Sequence, residues 1–238
     1  MPSPQQSITR RFGSYTMTLL PESARIAQFT NDVQRRLTEY MKESAMAGYT
    51  MESGTQVGLP DIFRYLSDPK INGFTLEQIA KEFGGREVIL TRSVEYTTGR
   101  CSVTGLLDSQ AYLRGLDSGT TFHAPKLAEN LLHFINFGKT VMALLGTDRY
   151  ATIRFSVEHC YGYTFYFSGM FKTTEMRGLS LKIDQAVPVI EGRFDSMADS
   201  FPESDIGVFD RMFVELFRWF GFHAHIGTVD ENWRPHVR

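Results

Sequence analysis

Two runs of β-forming residues meet across a glycine turn. REVILTRSVEY, TTG and RCSVTGLL together occupy residues 86–107. Val, Ile and Thr fit a pleated strand better than a helix, because branching at Cβ crowds a helical turn. Apolar residues at 88, 90, 94 and 96 lie two or four apart, and Arg92 interrupts the alternation. The pattern predicts a β-hairpin with its turn near Thr98-Gly99, since glycine reaches the left-handed backbone such turns need. A chain that carries this run must build a sheet, and the remaining segments have to cover it.

Several segments have the period of a helix. Ile26, Phe29, Val33, Leu37, Tyr40 and Met41 recur at three- and four-residue steps, which predicts a helix starting near Ser23 and ending near Gly48. A short helix is expected after Pro60, and another from Thr75 to Phe83 before Gly84-Gly85. Leu127, Leu131, Phe134, Ile135, Val141, Met142 and Leu145 predict a helix over 126–145. Tyr150–His159 and Tyr163–Phe171 read as a second hairpin around Cys160-Tyr161-Gly162. Leu179, Leu181 and Ile183 suggest a further strand, Val187 to Phe194 continue it or start a new one, and Phe222–Val229 read as a short strand. Residues 1–20, with Pro2 and Pro4 ahead of Gln-Gln-Ser, read as an N-terminal arm or tail, and 21–238 as a single domain.

SVEYTTG at 93–99 is nearly rewritten as SVEHCYG at 156–162. Sliding 75–116 onto 138–179 gives nine identities, falling before the hairpin, in its first strand, at its turn and after its second strand. One reading is a pseudo-duplicated helix-plus-hairpin unit, with 21–116 and 126–229 as halves. The other is the small vocabulary that hairpins share. The expected fold class is therefore α+β, a central, mainly antiparallel sheet flanked by helices. In element order alone this is similar to the profilin-like group, which includes GAF and roadblock/longin domains. That resemblance implies a fold and no activity.

Composition excludes some functions. With 25 Lys+Arg against 27 Asp+Glu the chain lacks the cationic balance of a nucleic-acid coat. Two cysteines make no disulfide framework and fit a reducing compartment, so a cytoplasmic location is expected. No run reaches the ~20 apolar residues of a membrane-spanning helix, and the N-terminus carries no signal-peptide core.

The candidate sites follow from residue type and spacing. In YGYTFYF, Tyr161, Tyr163, Phe165 and Phe167 would share one strand face, either as core or as the wall of a pocket for a small apolar or aromatic ligand. In DIGVFDRMFVELFRWFGF, residues 205–222, apolar residues wrap more than half the helix. Phe209, Phe213, Phe217, Trp219 and Phe220 are expected either to be buried on two sides or to meet a second copy or another protein. His223 and His225 would share a strand face and could join a metal site given a third ligand. The acidic loop carries Asp195, Asp199, Glu203 and Asp205 without the spacing of a calcium-binding loop. His159-Cys160 are adjacent and would point to opposite faces of a strand, which argues against a shared proton. GKT at 138–140 lacks the first glycine of a phosphate loop and lies in a helical pattern. Residues 75–94 resemble a helix-turn-helix, opposed by the strand-forming second half. No nucleophile–base pair or ligand set stands at a recognised spacing, and no cofactor is implied. The expected role is a non-enzymatic binding or regulatory protein, a ligand-sensing domain or a subunit of an assembly. A metal-dependent enzyme and a DNA-binding regulator are the alternatives.

Overall fold

The computed structural model describes residues 12–22, 30–50, 56–57, 59, 61–81, 88–108, 121–147, 149–160, 163–166, 189–196, 226–229 and 235–237. The strands are β1 (Ser14–Pro21), β2 (Tyr49–Thr50), β3 (Gln56–Val57), β4 (Lys70–Asn72), β5 (Thr75–Lys81), β6 (Val88–Glu95), β7 (Arg100–Leu106), β8 (Thr121–His123), β9 (Tyr150–Glu158), β10 (Thr164–Tyr166), β11 (Val189–Asp195), β12 (Ile226–Val229) and β13 (Pro235–Val237). The helices are α1 (Asn31–Ser44) and α2 (Ala124–Leu145), with a single 3-10 turn at Asp61–Tyr65. Seven strands form one sheet in the order β11-β9-β1-β7-β6-β5-β4, and every neighbouring pair in it is antiparallel. The α+β class and the antiparallel sheet are as the sequence predicts.

β1 is an interior strand of this sheet, between β9 and β7. SYTMTLLP alternates, with Tyr15, Met17 and Leu19 buried and Thr16, Thr18 and Leu20 turned to the other face. Met17 pairs with Val103 of β7 on one side and Phe155 of β9 on the other. Residues 14–20 are thus a central strand and not part of an arm. The Pro- and Gln-bearing residues 1–11 lie outside the described residues.

The same alternation runs through the sheet. Leu90, Arg92 and Val94 of β6, Cys101 and Val103 of β7, and Ala151, Ile153, Phe155 and Val157 of β9 all face the helices. The opposite face is hydroxyl-rich. Thr16 Oγ1 lies 3.1 Å from Thr104 Oγ1, and Ser93 Oγ 2.9 Å from Ser102 Oγ. Cross-strand pairs of this kind stabilise a sheet by about 0.2–1 kcal/mol each.

α1 and α2 cover the apolar face. Thr30 caps α1, its Oγ1 accepting from Val33 N–H at 3.3 Å. The helix therefore begins at Asn31, later than Ser23 suggests, because β1 runs on to Pro21. α1 buries Leu37 and Met41, and its Tyr40 ring stacks on Phe137 of α2 at 5.9 Å and 13°. Gly138, the glycine of GKT, sits inside α2 against β1. A Cβ there would stand 2.9 Å from Leu19 Cδ1, so glycine lets the helix approach the sheet.

The first hairpin forms as expected. β6 and β7 pair from Leu90↔Gly105 to Glu95↔Arg100, and Gly99 in the turn has φ +71°. Other expectations are corrected. Thr75–Lys81 is a strand, paired with β6 from Thr75↔Glu95 onward, and not a helix. TLEQIAK has apolar residues at both helical and alternating spacings, and the unfilled edge of β6 decides between them. A helix-turn-helix over 75–94 is therefore absent, since 75–81 and 88–95 are both strands. Among the described residues the second hairpin is not seen either: β9 pairs with β1 and β11, while β10 runs parallel to β8.

The repeated letters occupy strands of the same phase. Val94 and Val157 are buried, and the flanking Ser and Glu face outward in both β6 and β9. The segments on the N-terminal side of the triplet differ, a strand at 75–81 against helix at 138–144. The 205–222 helix and the strand at 179–183 lie outside the described residues.

Candidate functional site

Arg92 breaks the inward-facing alternation of β6, and the fold buries it almost completely, at 2% exposure. A cation removed from water must recover its lost hydration from neighbours. Three are in place. Nε donates to Gln78 Oε1 at 3.1 Å, Nη2 donates to the same oxygen, and Nη2 also donates to the carbonyl of Met41 at 2.8 Å. Gln78 is on β5, directly across from Arg92 in the ladder. Met41 lies in the last turn of α1, where carbonyls lose their intrahelical partners and the helix dipole favours positive charge.

Two rings complete the setting. The guanidinium carbon lies 4.5 Å from the centre of Phe137 and 5.4 Å from that of Phe63. Cation–π attraction at such distances is worth about 2 kcal/mol when desolvated. Phe63, in the 3-10 turn, also meets His133 of α2 edge-on at 5.5 Å. Burial brings the Arg92 pKa down to about 10, opposed by Tyr40 and Cys101. The group therefore stays charged at neutral pH. No carboxylate pairs with it among the described residues.

A cleft of about 700 Å³ opens in front of this cluster. Lys42, Ala45 and Met46 at the end of α1 form one wall. Phe63, Arg64 and Leu66 in and after the 3-10 turn form the other, and Ser67, Asp68 and Gln78 the floor and rim. Gln78 and Phe63 thus face the cleft and touch Arg92 behind them. Gln78 is held in place from both ends, with Nε2 donating to Ser67 O at 3.1 Å. Lys42 Nζ approaches Asp68 Oδ2 at 3.6 Å across the rim. Met46 is 75% exposed, a large apolar side chain left at the mouth. The arrangement offers hydrogen-bonding groups, a buried charge and an apolar wall. Among the described residues lining it, no nucleophile is paired with a base.

The sequence-predicted sites fare differently. Tyr163 is a core residue, 3% exposed, and its hydroxyl accepts from Gly13 N–H at 2.6 Å. Phe165 falls in β10, of whose side chains nothing is described, and Tyr161 and Phe167 lie outside the described residues, as do His223, His225, Phe209, Phe213, Phe217, Trp219 and Phe220. Asp195 of the acidic loop is taken by Arg149, whose Nε lies 2.7 Å from Oδ1 and Nη2 2.6 Å from Oδ2. Cys101 and Cys160 are free and buried, and burial pushes the Cys160 thiol up to about 11. Among the described residues no three His, Cys, Asp or Glu side chains gather to hold a metal. No helix among them is long and apolar enough to cross a membrane.

Sequence reasoning missed Arg92 as a site residue, although its interruption of the hairpin's apolar alternation was the available signal. Gln78, Phe63 and the rim had none, because the fold brings them together from separate elements. Compared with known protein families, curated proteins and solved structures, the chain matches none.

Proposed function

We propose that this is a non-enzymatic binding module and that its ligand site is the cleft between the C-terminal end of α1, the 3-10 turn and β5. The single observation that carries this reading is the stacking of two features at one place. A cavity of about 700 Å³ falls in the range of small-molecule sites, and its lining residues Gln78 and Phe63 rest on a fully buried cation. Taking a charge out of water carries a desolvation cost that its partners must offset. Besides tying β6 to the end of α1, this cation stands at the base of an open cleft, which supports recognition. The aromatic run of sequence at 161–167 is not needed for this reading.

Ligand-observed NMR on the full chain with a library of small fragments tests it. Met46→Trp places an indole at the mouth of the cleft without disturbing the core. Fragments that bind the wild type should weaken at least fivefold in Met46→Trp, by analogy with the tenfold effect of about 1.4 kcal/mol of lost contact. A library with no binders, or binders indifferent to the tryptophan, would remove the basis for the proposal.

A further inference from the structure

Resting on that reading, we infer that the cleft takes an aliphatic hydrocarbon chain, recognised by its apolar surface and not by charge. The polar side chains that line it are already engaged with the protein. Lys42 Nζ faces Asp68 Oδ2 at 3.6 Å. Gln78 Oε1 accepts from both Nε and Nη2 of Arg92, which fills its two lone pairs, and Gln78 Nε2 donates to Ser67 O. Ser67 Oγ donates to the Asp68 carbonyl at 3.2 Å and accepts from Ile79 N–H at 3.3 Å. Arg64 has a partner of its own as well. An ion or a strong hydrogen-bonding group entering here would have to displace these contacts and leave their groups unpaired.

What the cleft leaves open is aliphatic. Met46 is 75% exposed at the mouth, and an unbranched thioether adapts to whatever shape packs on it. Leu59 and Leu66 line the cleft while packing against the hydrophobic core. A hydrocarbon chain laid against these three side chains extends the core outward and takes their apolar surface out of water. Phe63 offers no stacking face, because it is 4% exposed and its ring is held by Arg92 and, edge-on, by His133. The lining therefore favours an aliphatic ligand over an aromatic one. Arg92 contributes from behind, by fixing Gln78 and Phe63. That part of the wall is set before a ligand arrives, which lowers the ordering cost of binding.

The test titrates the full chain at pH 7 with 1-hexanol, 1-octanol, octanoate and octylamine by calorimetry. Octanol should bind about tenfold more tightly than hexanol, from a gain of roughly three- to fourfold per buried methylene. Octanoate and octylamine should lie within about threefold of octanol, and about 0.5 M NaCl should leave that order unchanged, since no ion pair is there to be screened. Met46→Ser, at an exposed position, opens the mouth instead of filling it. It should still weaken octanol about fivefold, because hydrocarbon contact is lost. Equal affinities for hexanol and octanol would overturn the inference, and so would octanol binding unchanged in Met46→Ser. An octanoate or octylamine affinity about tenfold above that of octanol and lost in salt would overturn it in favour of an ionic ligand. No octanol binding, beside fragments that Met46→Trp weakens, would overturn the hydrocarbon and leave the cleft as a binding site. Fragments indifferent to Met46→Trp, with no binding by any of the four probes, would take away both readings.

Discussion

Arg92 on the sheet donates from Nη2 to the Met41 carbonyl at the end of α1, 2.8 Å away, and so ties a strand to the helix laid across it. The same guanidinium holds Gln78 of the neighbouring strand. Replacing it with methionine keeps much of the volume but leaves Gln78 Oε1 without its donor and takes one from the Met41 carbonyl, which keeps only Ser44 Oγ at 3.3 Å. Arg92→Met is expected to cost about 2–4 kcal/mol. Arg92→Lys keeps the charge, but one ammonium on a flexible stem cannot reproduce the planar fork, and it should fall between the two. Urea unfolding followed by circular dichroism measures both. A methionine variant as stable as the wild type would show that the charge is held for some reason other than the helix end.

Tyr163 gives its hydroxyl oxygen to Gly13 N–H, at 2.6 Å, across the start of β1. Gly13 has no room for a side chain, since a Cβ would lie 2.8 Å from Leu107 Cδ1 and 3.1 Å from the Tyr163 ring. Tyr163→Phe removes only the acceptor and leaves a buried amide unpaired, a loss of about 1–3 kcal/mol. Thermal unfolding should show a lower midpoint. An unchanged midpoint would mean that water reaches the Gly13 amide.

Gly99 occupies the turn between β6 and β7 with φ +71°, and a Cβ there would meet Thr147 Cγ2 at 2.8 Å. Gly99→Ala combines left-handed strain with a steric clash and should destabilise by at least ~1 kcal/mol. Gly73 has a similar φ of +59° but nothing within 4 Å of the would-be Cβ. Gly73→Ala should therefore cost less than Gly99→Ala. The reverse order in a urea titration would contradict the packing around Thr147.

Thr18 of β1 pairs with Ser102 on one side and Arg154 on the other. Proline there removes a ladder donor from a central strand and imposes a fixed φ, which such strands do not tolerate. Thr18→Pro is expected to abolish cooperative folding, with a loss of roughly 3 kcal/mol or more. A soluble variant with wild-type thermal unfolding would return residues 14–20 to the role of a dispensable arm.

Alkaline pH should weaken the fold. Burial raises Cys160 to about 11 and Tyr163 to about 12, and raises Tyr15 and Cys101 as well. In each case the native state holds its proton longer than the unfolded chain, so stability is present below the unfolded pKa and is lost as pH rises through the folded one. The loss should begin near pH 9, where an unfolded thiol ionises. Arg92, lowered to about 10, acts in the opposite sense, since the unfolded chain keeps that proton longer. One arginine against four acids leaves a net decline between pH 9 and 12. Unfolding midpoints across that window check the sign. The same burial predicts that both thiols resist alkylation at pH 8 in the native protein and react fully in denaturant.

Sequence by itself determined the features that depend on neighbours along the chain. The glycine turn at 97–99, the inward phase of β6 and β7, and the helix over 124–145 are all written in local spacing, because a turn's φ requirement and a helix face involve residues a few places apart. β1 was legible in the same way, since Tyr15, Met17 and Leu19 alternate, but the Pro- and Gln-bearing residues before it drew the segment into an arm. Tertiary structure decided everything that depends on distant partners. TLEQIAK satisfies two periods, and only the open edge of β6 makes it a strand. β9 finds β1, with Tyr15↔Val157 142 positions apart, and not the segment that follows it. Arg92 looked like an interruption until α1, α2 and the 3-10 turn closed over it. A buried charge is meaningful only through the atoms around it, and these come from four separate parts of the chain.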